Sequence, residues 1–174
     1  MAIHLSGFLV VAALLQASAA LTPGTISVEI AADEAIPGDL GERVDDAIQR
    51  EFLDAEFTAL PRPGASRYVA AAVIRRDARG AVTINGREAK PQIGATALSV
   101  QLPSRKREMH GLTVTELSVT IRRRGDPAIL WSGSVMTAQV EGSRDDTPSV
   151  LASKLVNALF RDFPAQPEGP ISVP

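Results

Sequence analysis

Leu112-Thr113-Val114-Thr115-Glu116-Leu117-Ser118-Val119-Thr120-Ile121 is followed, after three arginines and a Gly-Asp-Pro step, by Ala128-Ile129-Leu130-Trp131-Ser132-Gly133-Ser134-Val135-Met136-Thr137-Ala138-Gln139-Val140. The first run alternates with period two: Leu117, Val119 and Ile121 fall on one side, Ser118, Thr120 and Arg122 on the other. That is the pattern of a strand with one face buried. The second run returns after Arg124-Gly125-Asp126-Pro127, whose Gly and Pro make it a turn. Two long strands joined by a tight loop lie antiparallel, and this hairpin anchors the rest of the fold.

Outward from the hairpin, Tyr68-Val69-Ala70-Ala71-Ala72-Val73-Ile74 is a continuous apolar run that reads as a central strand covered on both faces, with a helix as the alternative its alanines allow. Residues 95–102 read as another strand, with Leu98, Val100 and Leu102 inward; Asn85-Gly86 before it is a hairpin-turn signal. Thr25-Ile26-Ser27-Val28-Glu29-Ile30-Ala31 alternates as a half-buried strand. Between these strands, Leu40, Val44, Ala47, Ile48, Glu51, Phe52 and Ala55 recur at helical spacing, with Asp39 and Glu42 at the spacing of a capping box. The helix should end near Glu56, before Pro61-Arg62-Pro63-Gly64. A second helix starts at Thr147-Pro148, carries Leu151, Ala152, Leu155, Val156, Leu159, Phe160 and Phe163, and stops at Pro164. The expected fold is α+β: a single, mostly antiparallel sheet of four to five strands, in the order β-α-β-β-β-β-α, with two helices packed on one face. The strand–helix–strand start allows one parallel crossover.

The ends divide the chain further. Residues 1–20 hold the apolar run Phe8-Leu9-Val10-Val11-Ala12-Ala13-Leu14-Leu15 and the exit Ala17-Ser18-Ala19-Ala20, the layout of a signal peptide cut after Ala19 or Ala20. The run is shorter than the roughly 20 apolar residues of a membrane span, which sets retention as an N-terminal anchor second. Residues 21–164 then form one domain, and the Pro-rich residues 165–174 an extended tail. The expected location is the periplasm or the exterior.

No cysteine occurs, so a disulfide-stapled domain and an acylated lipoprotein cysteine are both excluded. The leader removes His4 and leaves His110 as the only histidine. A His/Cys zinc set and a Cys–His pair are then impossible within one chain. No Gly-x-Ser-x-Gly elbow, Ser-x-x-Lys or phosphate-cradling glycine loop is present. Glu42 and Asp46 share a helix face, but two acids make a thin cation site. The reading is a non-enzymatic protein with no cofactor, no metal site and no catalytic residue. The rivals are an exported hydrolase using His110 and a structural envelope-assembly factor.

The net charge of −2 hides a segregation: residues 29–56 sum to about −8 and residues 62–124 to about +9. The basic residues form clusters, Arg75-Arg76, Arg105-Lys106-Arg107 and Arg122-Arg123-Arg124, which the sequence places at strand ends. Antiparallel neighbours can bring two or three of them to one end of the sheet, as a patch for lipid phosphates or an acidic envelope protein. Nucleic acid is disfavoured by the export signal and by the scarcity of aromatic stacking platforms.

Ala128-Ile129-Leu130-Trp131-Ser132-Gly133, the closing Leu159-Phe160-Arg161-Asp162-Phe163-Pro164, the strand start Tyr68-Val69-Ala70 and the final Pro170-Ile171-Ser172-Val173-Pro174 together resemble a bacterial envelope family, periplasmic or outer-membrane lipoprotein-like, described only as a domain of unknown function. In that family a hydrophobic-Trp-x-Gly strand precedes a last helix ending in Phe-Pro. The resemblance implies a periplasmic or outer-membrane-associated α+β domain and carries over no catalytic residue. Family members are often lipoproteins, and the missing cysteine departs from that pattern.

Overall fold

The computed structural model describes residues 21–32, 36, 39–61, 64–85 and 107–174. The leader, the expected strand at 95–102, Gly86 of the turn signal, and Arg105 and Lys106 lie outside the described residues. Eight elements follow in order: β1 (Thr25–Ala32), α1 (Leu40–Asp54), β2 (Thr58–Leu60), β3 (Tyr68–Asn85), β4 (Arg107–Arg123), β5 (Ile129–Val140), α2 (Pro148–Phe160) and β6 (Ile171–Val173). One mixed sheet runs β2-β1-β3-β4-β5-β6. β1 is parallel to β2 and β3, β5 is parallel to β6, and β4 is antiparallel to both of its neighbours. The α+β class and the two helices are as the sequence implies; the sheet has six strands rather than four or five.

The hydrophobic patterns explain which face the helices take. Tyr68, Ala70, Ala72 and Ile74 of β3 line up with Leu117, Val119 and Ile121 of β4 and with Trp131 and Val135 of β5, all buried on one face. Leu40, Val44, Ala47, Ile48 and Phe52 of α1 close over that face, beside Leu151, Ala152, Leu155, Val156, Leu159 and Phe160 of α2. The opposite face departs from the expected double cover. Val69 is buried there, but Ala71 and Val73 are only half-buried, and no helix among the described residues packs on them. Alanine-rich strands can sit at such a face because little apolar area is left in water.

Gly133 makes the approach of α2 to β5 possible. A Cβ at this position would lie 2.7 Å from Leu159 Cδ1 and 3.0 Å from the Trp131 ring. Glycine leaves the volume that the leucine and the indole share. The tail beyond Pro164 is anchored rather than trailing. Ala165 O accepts from Trp131 Nε1 at 2.9 Å, and the Gln166 side-chain amide pairs with the backbone N–H and C=O of Ser132, mimicking a neighbouring strand. Ile171–Val173 then pairs with Val135–Thr137 as β6.

The helix ends differ from the sequence expectation in their chemistry. Asp39 precedes α1 with helical backbone angles, and its side chain makes no capping hydrogen bond. The capping box therefore does not form. Thr147 Oγ1 likewise turns to Arg144 O, 2.7 Å away, and leaves the α2 start to Pro148. The α1 C-terminus is better satisfied: Phe57 N donates to Phe52 O and Glu56 N to Leu53 O, with Glu56 at φ 66°. That is a Schellman closure, with the Phe52 and Phe57 rings 6.0 Å apart as its hydrophobic contact.

Glu51 is the one polar member of the α1 stripe. Burial raises its pKa above the ordinary value of 4.5, Asp54 raises it further, and Arg50 acts in the opposite direction. Ionised Glu51 thus weakens the fold, so its stabilising contribution is complete at low pH and is lost as pH rises through the raised value. Glu51→Gln should raise the melting temperature at neutral pH and leave it unchanged well below pH 4.5. Equal melting curves for the two proteins across that range would overturn the assignment.

Candidate anionic-partner site

The register of the long hairpin decides where the basic clusters lie. Arg122 and Arg123 stand opposite Val69 and Tyr68, at the end where β3 begins. Arg75 and Arg76 stand opposite Glu116 and Thr115, in the middle of the hairpin, and Arg107 stands opposite Asn85, at its far end. Arg75 lies seven steps along β3 from Tyr68, roughly 23 Å at strand rise. The expectation that Arg75 and Arg76 share a sheet end with Arg122, Arg123 and Arg124 is therefore corrected. The reason is strand length: β3 continues past Arg75-Arg76 to Asn85, so these residues are mid-strand and not at an end.

The two middle arginines also split between faces, because successive residues of a strand alternate. Arg75 is exposed on the open face. Arg76 lies on the helix face, where its Nη2 meets Asp146 Oδ1 at 2.5 Å, with the two side chains 12% and 11% exposed. Asp146 Oδ2 also accepts from Gly142 N at 3.0 Å. Around Arg76 the helix face turns polar: Thr115, Thr137 and Gln139 are buried, with Gln139 Nε2 donating to Thr115 Oγ1 at 2.5 Å. Arg76 is a structural cation and takes no part in a surface patch.

The remaining cluster is built from three segments of chain. Arg124 Nε donates to Ser66 O at 2.8 Å, and its Nη2 donates to Ser66 Oγ at 2.7 Å and to Ser27 Oγ at 3.4 Å. Ser27 and Ser66 are buried and lie 2.9 Å apart, oxygen to oxygen. The Arg124 backbone N–H donates to Arg67 O at 2.9 Å. These bonds stitch the β4–β5 turn to the start of β3 and leave Arg122 and Arg123 exposed beside it. Arg67 adds a fourth arginine, its guanidinium 5.1 Å from the centre of the Tyr68 ring. A shallow depression of about 390 Å³ opens here, lined by Val69, Arg122, Arg124 and Gly125, with Glu29 and Asp126 as its acids. Exposed arginines beside the fixed Arg124 suit a phosphate or carboxylate group.

Arg67, Ser27 and Ser66 were not singled out by the sequence reading. Arg67 is isolated in sequence, and two serines carry no signal until the parallel β1–β3 pairing brings them together. His110, the candidate base of the hydrolase alternative, lies within β4, opposite Val82. Among the described residues no group of three His, Cys, Asp or Glu side chains is placed to hold a metal ion, and no helix is long and apolar enough to cross a membrane.

No protein-family description matches the chain, and no curated protein matches it. Solved structures with a related course of chain include a PelC dodecamer from Paraburkholderia phytofirmans, 16% identical, covering 76% of this chain and 79% of that one at a TM-score of 0.44. The hypothetical protein CT253 from Chlamydia trachomatis is 12% identical over 80% of this chain and 92% of its own, at 0.42. A minor lipoprotein from Acinetobacter baumannii is 9% identical over 79% and 92%, at 0.38.

Proposed function

We propose that this protein is a non-enzymatic domain of the bacterial cell envelope, of the family that its Trp131-Ser132-Gly133 strand and Phe163-Pro164 helix end resemble, and that it holds an anionic partner at the arginine end of its sheet. The observation that carries this reading is the stitched turn. Arg124 spends its guanidinium on Ser66 and Ser27, which fixes the backbone that presents Arg122 and Arg123. Arginines that serve only solubility need no such anchoring, since isolated surface charges contribute little to stability. The export layout of residues 1–20 supports an envelope location.

The test is site-specific cross-linking in living cells. A photoreactive amino acid in place of Arg123 should give an envelope adduct, whereas the same group in place of Arg79, an exposed arginine of the far hairpin, should give none. No adduct from position 123, or the same adduct from both positions, would overturn the reading.

A further inference from the structure

We infer that the partner at the arginine end is an anionic lipid surface, on which the domain stands with β4's end down; this rests on the reading above and names its partner. Three independent features meet at this end. The first is charge: Arg67, Arg122 and Arg123 are exposed around the fixed Arg124. Of the acids at the same end, Glu29 and Asp126 line the depression with Arg122 and Arg124, Asp126 also accepting from Ala128 N, while Asp54 and Glu56 stand on the helix layer, away from Arg122 and Arg123 on β4.

The second is apolar exposure. Among the described residues the large exposed hydrophobic side chains are Ile129, 62% exposed, and Leu53, 57% exposed. Ile129 stands opposite Arg122 in the β4–β5 register. Leu53 lies in the last turn of α1, and that turn reaches the same end, because β2 begins a few residues later opposite Thr25. An exposed isoleucine beside an arginine fits a bilayer interface, where aliphatic groups enter the acyl boundary and guanidinium groups stay among phosphates. Protein interfaces also bury aliphatic side chains, so the vesicle and cross-linking outcomes below separate the two kinds of partner.

The third is the path of the chain. Residues 21–24 enter the fold at this end: Thr22 Oγ1 lies 3.3 Å from the Tyr68 hydroxyl, and Gly24 O accepts from Thr58 N. Leu15, the last residue of the apolar leader run, is six positions before Leu21. Six extended residues reach about 20 Å. Where the leader is retained as an anchor, the arginine end is therefore the end held nearest the bilayer; where it is cut, the charge and the apolar exposure carry the assignment by themselves.

Co-sedimentation of the purified protein with vesicles of phosphatidylglycerol and phosphatidylcholine tests the inference. Binding should occur at low salt, weaken as salt screens it, and be absent on phosphatidylcholine alone. R122E combined with R123E should weaken binding by about thirty-fold or more. Ile129→Ser with Leu53→Ser should weaken it at every salt concentration, whereas R75E with R79E, on another part of the sheet, should bind as the native protein does. Unchanged melting curves confirm that the exposed-site variants fold. Native-strength binding by the R122E and R123E protein, or equal binding to neutral vesicles, overturns the lipid assignment. So does a cross-link from position 123 that carries a protein and no lipid; that result would leave the anionic-partner reading standing, while no adduct at all would remove both.

Discussion

Asp146→Ala should destabilise the protein by about 3–5 kcal/mol, as read by urea unfolding, far more than a surface ion pair could account for. The substitution leaves Arg76 charged, with a side chain only 12% exposed, and without its carboxylate. Its buried polar neighbours Thr115, Thr137 and Gln139 are neutral, so none of them supplies the missing negative charge. Among the described residues Arg76 Nη1 has no hydrogen-bond partner even with Asp146 in place. Gly142 N would lose its acceptor as well. The same element offers an internal control, because Arg79 and Asp77 are 3.6 Å apart with side chains 64% and 65% exposed. Removing Asp77 should change stability by no more than about 1 kcal/mol. Replacing Arg76 by Met and Asp146 by Leu together should recover most of the loss, since the cost lies in the stranded charge and not in the absent attraction. A loss below about 1 kcal/mol for Asp146→Ala would show that water reaches Arg76 freely and that the pair is ornamental.

This pair also marks where the sequence stopped being readable. Arg75-Arg76-Asp77 does end the apolar run of β3. Yet the strand continues to Asn85, paired with β4; residues 75–80 interrupt the apolar pattern, and Val82 and Ile84 resume it over too short a stretch to be read as the same strand. Alternation shows a strand only where one face is buried, so a polar extension is silent. The edge strands Thr58–Leu60 and Ile171–Val173 were silent for another reason: three residues are too few to show a period. By contrast, α1, α2, β4 and β5 each bury a long stripe, and the residues expected inward on α1, α2 and β4 are buried, apart from Glu51, Ala55 and Phe163, which are partly buried. The site was half legible. Arg122, Arg123 and Arg124 were visible as a cluster, but their partners Ser27 and Ser66 depend on the register of β1 against β3, which no local pattern encodes.

Trp131→Ala should cost about 3–5 kcal/mol, the range for deleting a large aromatic side chain from a packed interior. Trp131 is 1% exposed and joins one aromatic cluster with Phe52, Phe57, Tyr68, Phe160 and Phe163. Its ring stacks on Phe160 at 5.5 Å and meets Phe163 edge-on at 5.4 Å. Both phenylalanines belong to the C-terminal part of the chain, so the indole ties α2 and the following turn to β5. Its Nε1 bond to Ala165 O holds the tail that goes on to form β6. Trp131→Phe should keep the ring packing in part and lose that bond, at a smaller cost than alanine. The alanine protein should therefore lose more stability than the phenylalanine protein, and its tail should become the first site of proteolytic nicking. The cluster matters for the arginine end because Tyr68 is both a member of it and the residue beneath Arg67. Loosening the cluster should blur the position of Arg67 without touching any charge. Equal stability of the alanine and phenylalanine proteins would mean that the indole acts only as a spacer, and that the fixed geometry of the arginine end has its source in Ser27 and Ser66 alone.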